Sequence, residues 1–303
     1  MDVPASSKRS QHIGDNIPHA LEDNRQDNLG KSAEVAPFYI VGASARGRFH
    51  YHNDTPRDDA FAVIFNDTWL AVAVADGAGS RPLSRHGASL LANKLCRRLL
   101  GETRQQAREL AIVDIQPDTT EQNYLENIVV KAFRQARIDL EKFATEKGKS
   151  LEDFHSTLLG LILNTKTMEM GIGQIGDGLI LGLDDKENTV ILAHPQASDD
   201  PAASYFITQE DWEQYLYKKG MTTGEVDHLS TFYLMTDGVA NDCQYGPPAN
   251  ILEMWARDMD REIRLVPSLR TTAERLKNYL ANYKAKGSFD DRTLVVIYRN
   301  RED

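Results

Sequence analysis

Cysteine is nearly absent from this 303-residue chain, which carries only Cys96 and Cys243. That excludes a disulfide framework and a cysteine-rich zinc site, and it fits a reducing cytoplasm. Long apolar runs are missing too. The longest windows, Trp69 to Ala75 and Leu158 to Leu163, fall far short of the ~20 residues a membrane span needs. No membrane partner is expected. The opening stretch MDVPASSKRSQH has no apolar core and does not read as a signal peptide. Basic charge is in deficit. Acidic residues exceed basic ones by 45 to 35, a net charge of −10, so no general nucleic-acid face is expected. What is present is an ordinary soluble balance, 41% hydrophobic and 26% charged.

Residues 1–35 are polar and lack apolar periodicity. Such a stretch buries too little surface to offset its ordering entropy, so it reads as a flexible tail. Residues 36–303 read as a single domain. Short β-type runs begin at Phe38 and continue to Thr293–Tyr298. In 70–75, LAVAVA, small and large residues alternate, as on a strand with two unequal packed faces. Helical periodicity interrupts the strands: from Ser84 as a cap to about Leu100, from about Glu121 to Lys147, from Asn250, and from Thr271 with Glu274 as a capping box to Gly287. Strands joined by short turns, with a few one-faced helices, predict an α+β fold in which an antiparallel β-sandwich is flanked by helices. Gly148-Lys149-Ser150 resembles the end of a phosphate-binding loop. Phe143 stands where its first Gly should be and a helix precedes it, so that reading fails.

The carboxylates carry the clearest chemical signal. Asp58 and Asp59 precede one apolar strand, and Asp76 and Asp237 each follow one. Asp290 and Asp291 precede the last, and Asp177 sits in the Gly176-Asp177-Gly178 turn. Singly, an Asp after a strand is ordinarily a turn residue or a helix cap. Together, acids at strand starts and strand ends meet on one rim of an antiparallel sheet, because one strand's start lies beside its neighbour's end. Such a rim repels itself unless a cation sits within it. A hard divalent ion, Mg²⁺ or Mn²⁺, suits an all-oxygen site.

The order of motifs resembles the metal-dependent protein phosphatases of the protein phosphatase 2C type, and most closely a bacterial branch. The motifs are Arg57-Asp58-Asp59-Ala60-Phe61, Val74-Ala75-Asp76-Gly77-Ala78-Gly79-Ser80, Gly87-Ala88-Ser89, Ser156-Thr157, Gly176-Asp177-Gly178, Thr236-Asp237-Gly238-Val239 and Asp290-Asp291-Arg292-Thr293. The resemblance covers roughly residues 40–298. It implies a four-layer αββα sandwich and hydrolysis of phosphoserine and phosphothreonine in proteins by a hydroxide shared between two Mn²⁺ or Mg²⁺ ions. Asp59, Asp76, Asp237 and Asp290 form the implied catalytic set. Asp76 bridges both metals, the carbonyl of Gly77 binds one, Asp237 and Asp290 bind the first, Asp59 holds metal-bound waters, and Asp177 helps hold a third, weaker ion. The implied partner is a phosphorylated Ser/Thr protein, a partner kinase or its target, and the chain is expected to act as a monomer.

Three positions depart from the family pattern. Ala78 stands where several members place a His as general acid, Asp54 where an Arg often clamps phosphate, and Asn241 where an acid is expected, with Asp242 one step later. Arg46, Arg48, His50 and Arg81 are the nearby candidates for the clamp. These departures motivate the rival reading of a weakly active phosphatase-like module that regulates or binds phosphoproteins. The intact acid set argues against it. Another metal-dependent phosphoesterase acting on a small ester is the third reading.

Overall fold

The computed structural model describes residues 10–16, 27–112, 122–196, 204–244, 250–283 and 288–299. In chain order the elements are β1 (Gln11–Gly14), β2 (Asn28–Val35), β3 (Phe38–Ala45), α1 (Arg48–His52), β4 (Ala60–Phe65), β5 (Trp69–Ala75), α2 (Ser84–Ile112) and α3 (Gln122–Glu146). They continue with β6 (Leu158–Asn164), β7 (Glu169–Ile175), β8 (Leu179–Asp184), β9 (Thr189–Ala193), α4 (Trp212–Lys219), β10 (Met221–Glu225) and β11 (Leu229–Met235). Last come α5 (Asp237–Gln244), α6 (Ile251–Arg264), α7 (Leu269–Asn282) and β12 (Arg292–Arg299).

The strands form two antiparallel sheets, ordered β1-β4-β5-β6-β7-β10 and β2-β3-β12-β11-β8-β9. Alternation along each strand decides which layer a side chain joins. On β5, Leu70, Val72 and Val74 face the second sheet and pack with Phe61, Phe232, Val295 and Ile297. Ala71, Ala73 and Ala75 face the other way, toward Leu91, Leu95 and Phe133 of α2 and α3. The small residues let those helices approach closely. A Cβ on Gly173 of β7 would lie 2.4 Å from the Phe133 ring. The second sheet's outer face is covered by α5, α6 and α7, through Val239, Ala256, Ile263, Leu276 and Leu280. The layers are therefore α, β, β, α, as expected.

Within residues 1–35, read from the sequence as a tail, 11–14 and 28–35 are strands, while 1–9 and 17–26 lie outside the described residues. β1 pairs with β4, and all eight residues of β2 pair with β3. An edge strand can be held by its backbone ladder and by its neighbour's apolar face, so it needs little apolarity of its own. β2 buries only Leu29 and Val35 among its larger apolar residues. Asp15 is buried, paired with the guanidinium of Arg57, and accepts the Phe61 N–H at 3.1 Å.

Helix ends also differ from expectation. Ser84 opens α2, but its hydroxyl donates to Asp58 and to the Arg81 carbonyl. The helix runs past Leu100 to Ile112. α7 begins at Leu269 behind Ser268, so Thr271 lies inside the helix and does not cap it. The expected stop at Gly287 lies outside the described residues. Ser150 does cap a short 3-10 turn, Leu151–Phe154, by a capping box, which gives the Gly148-Lys149-Ser150 stretch a structural role.

Candidate metal centre

The strand pairing brings the acids to one rim. Ala60 pairs with Ala75, so Asp59 before β4 and Asp76 after β5 leave the first sheet at the same end. Met235 pairs with Leu294, so Asp237 after β11 and Asp290 before β12 leave the second sheet together. Gly176-Asp177-Gly178 is not a hairpin within one sheet. It crosses from β7 in the first sheet to β8 in the second, and Gly176 takes φ +112° to make the crossing, a conformation suited to glycine.

Carboxylate oxygens of Asp76, Asp237 and Asp290 lie within 4.8 Å of one another. Asp59 is fully buried, and its Oδ2 accepts the Thr236 hydroxyl at 2.8 Å. Asp177 accepts from the Ser204 hydroxyl. The Asp76 N–H donates to Thr157 Oγ1 at 3.0 Å, and its carbonyl accepts the Thr157 N–H at 2.8 Å. Gly77 bridges to Ser156 and lies hard against Ser84, the first residue of α2.

Charge repulsion is visible in every acid of the rim's core. Burial, then Asp59, Asp237, Asp290 and Asp177, push the Asp76 carboxyl far above the usual carboxylate range. Burial, then Asp291 and Asp290, do the same to Asp59. Burial, then Asp290 and Asp177, push Asp237 up to about 7. Asp290 is raised by burial and by Asp291. Asp237 Oδ1 is buried with no hydrogen-bond partner at standard geometry among the described residues. A convergent, all-oxygen, protonation-prone donor set of this kind fits hard divalent cations, which supply the missing positive charge.

A second layer holds the rim. Asp291 is buried and accepts the Gly47 N–H at 2.6 Å, the Asp58 and Asp59 N–H groups, and His50 Nδ1 at 3.0 Å. His50 Nε2 lies 3.3 Å from Asp58. Burial alone would lower this imidazole, but the hydrogen bonds and charges of Asp291 and Asp58 outweigh it and hold His50 at about 10. The Arg57 guanidinium, fully buried, donates to Ser44 Oγ at 2.9 Å and to the Asp59 carbonyl.

The clamp candidates have mixed placements. His50 has a carboxylate at each ring nitrogen, and Arg46 contacts Asp27, Asp54 and the His50 carbonyl. Arg48 is exposed on α1, and Arg81 lies 3.9 Å from Glu152 at the surface. Arg85, passed over in the sequence, sits in the first turn of α2 with Nε 4.0 Å from Asp58. Asn241, where an acid was expected, donates to Asp237 Oδ2 at 3.2 Å. Asp242 turns away, accepting from Tyr283 at 2.6 Å and Ser288 at 2.9 Å. Cys96 and Cys243 are buried, and burial pushes both thiols up, which leaves them inert.

The family model for protein phosphatase 2C matches residues 46–295. Serine/threonine-protein phosphatase 3 of Escherichia coli (strain K12) is 32% identical over 206 residues, covering 66% of this chain and 73% of that protein. The fold is shared with a serine-threonine phosphatase 2C from Toxoplasma gondii, at TM-score 0.60 and 13% identity over 90% of this chain and 99% of that one. RsbX in complex with magnesium is similar at TM-score 0.50 and 13% identity, over 90% of this chain and all of that one. The chain belongs to the protein phosphatase 2C family, the metal-dependent protein serine/threonine phosphatases.

Proposed function

We propose that the acidic rim hydrolyses phosphoserine and phosphothreonine monoesters in protein substrates, a partner kinase or its target among them. The observation that carries this reading is the convergence of Asp76, Asp237 and Asp290, from three distant segments, within 4.8 Å. The E. coli relative bears the name of a serine/threonine-protein phosphatase, and the magnesium complex of the similarly folded RsbX supports a divalent ion. In this reading Asp76, the Gly77 carbonyl, Asp237 and Asp290 would hold two Mn²⁺ or Mg²⁺ ions, with Asp177 for a third, weaker one. When bound, such ions supply Lewis acidity toward phosphoryl oxygens and lower the pKa of water. Asp59, fixed by the Thr236 hydroxyl, would orient water by accepting its hydrogen bonds. Arg85, with its Nε 4.0 Å from Asp58, serves better as the phosphate clamp than His50, whose ring is committed to a carboxylate at each nitrogen.

The test is turnover of p-nitrophenyl phosphate and a phosphothreonine peptide, with Mn²⁺ and with excess EDTA. Hydrolysis that requires the metal is expected for both. Full activity in EDTA removes the reading.

A further inference from the structure

An aromatic patch is built onto the loop that carries Asp290. Of the chain's ten Phe residues, Phe49 and Phe289 are the exposed ones, at 54% and 56%, and Tyr51, two residues further along α1, is 72% exposed. Isolated exposed apolar residues need no explanation, but a group at one place marks a contact surface. Its position is fixed. The Phe49 N–H donates to the Phe289 carbonyl at 2.9 Å. Gly47, which precedes α1, is packed so tightly on the Asp290 backbone that a Cβ there would lie 2.2 Å from the Asp290 carbonyl carbon. The Gly47 N–H is held by Asp291. These contacts join the backbone of Phe49 and Phe289 to that of the candidate metal ligand Asp290. Its rings are steadied as well: Phe49 meets His50 edge-on at 5.5 Å, and the Arg46 guanidinium lies 5.5 Å from the Tyr51 ring centre.

We infer that Phe49, Tyr51 and Phe289 form a docking surface for an apolar side chain flanking the phosphoresidue of a protein substrate. The inference rests on the phosphatase reading above and adds a substrate class to it. Continuity with the metal rim selects the occupant. Phe289 is joined directly to Asp290, so a phosphoresidue held at Asp76, Asp237 and Asp290 brings its flanking residues to the side of the rim where this loop stands. Rigid aromatic faces bind apolar side chains at low entropic cost.

The experiment compares phosphothreonine peptides that are all Ser and Gly except for one Leu, moved through the three positions on either side, with p-nitrophenyl phosphate as the reference lacking any flank. Wild type should prefer at least one Leu position over the all-Ser/Gly peptide about tenfold in kcat/KM, which is about 1.4 kcal/mol. In Phe49→Ser/Phe289→Ser that preference, taken relative to p-nitrophenyl phosphate, should fall at least fivefold. A preference that survives in the variant, or none in wild type, overturns the docking surface while metal-dependent turnover leaves the phosphatase reading standing. If no substrate is turned over, that reading fails. Fluorescence anisotropy with phosphonate peptides in Mn²⁺ then decides the patch alone, because equal affinities for Leu and Ser peptides refute it. Melting curves confirm that the variant is folded, and Tyr51→Ser, on the outer face of α1, provides the milder second variant.

Discussion

Removing the divalent ion should turn a stabilising site into a pH-dependent liability. Asp237 is the clearest gauge, since its folded-state carboxyl is held at about 7 against an ordinary 3.8. A carboxyl raised on folding contributes no penalty below its unfolded pKa and a growing one as pH rises toward the folded value. Between pH 5 and pH 8 this group should cost the metal-free fold on the order of 3 kcal/mol, or several °C in Tm for a domain of this size. Bound cations favour the ionised acids and reverse the trend. Mn²⁺ at 100 times its Kd adds about 2.7 kcal/mol at pH 8, and less at pH 5, where it must displace protons. His50, held at about 10, also loses stability over this range. It does so equally in wild type and Asp237→Asn, so the difference between the two reads the Asp237 charge together with the repulsion it exerts on Asp76. Scanning calorimetry at pH 5, 6, 7 and 8, in EDTA and in Mn²⁺, reads all of this. A flatter EDTA profile is expected for Asp237→Asn. An equal Mn²⁺ shift at pH 5 and pH 8, or parallel wild-type and variant profiles in EDTA, would refute the reasoning.

Asp76→Asn should lower kcat at least 100-fold and lose most of the Mn²⁺-induced Tm shift with the fold kept, checked by turnover and melting in parallel. Arg85→Ala should raise KM for p-nitrophenyl phosphate more than it lowers kcat, whereas His50→Ala should mainly lower Tm. The opposite pattern would return the clamp to His50. Asp291→Ala should destabilise by about 3–5 kcal/mol, seen by urea denaturation, because it strands His50 and several buried N–H groups at once. Gly173→Ala should cost about 1–3 kcal/mol, since its new Cβ meets the stiff Phe133 ring rather than a flexible chain end.

The sandwich was legible because its central strands are apolar on both faces, as in LAVAVA of β5, and because long helices declare their period. Three of the four edge strands, β1, β2 and β10, were not. β2 reads NLGKSAEV and β10 MTTGE, sequences with no apolar alternation, and only pairing with β3 and β7 makes them strands. At the site, acids flanking apolar runs signalled Asp59, Asp76, Asp237 and Asp290. The supporting pair Asp15 and Arg57 was hidden, because its partners lie 42 positions apart and one stands in a polar stretch. The roles of Asp290 and Asp291 depend on orientation that sequence does not encode: one carboxylate points to the rim and its neighbour into the protein. Charge type alone suggested His50 as a clamp. Its two carboxylate neighbours come from α1's surroundings and from β12, a separation of 241 positions in one case.

The place of β12 in its sheet carries a consequence for how the molecule comes into being. It lies between β3 and β11, pairing with β3 across roughly 250 positions of chain. So distant a closure is expected late in folding, because loop-closure entropy is lost before the contact rewards it. The same insertion delivers Asp290 to the rim and Asp291 to its support. A nascent or partly folded chain that lacks this strand therefore has neither a closed second sheet nor a complete acid set. On the metal reading proposed above, competence to hold the ions would arise together with the finished second sheet.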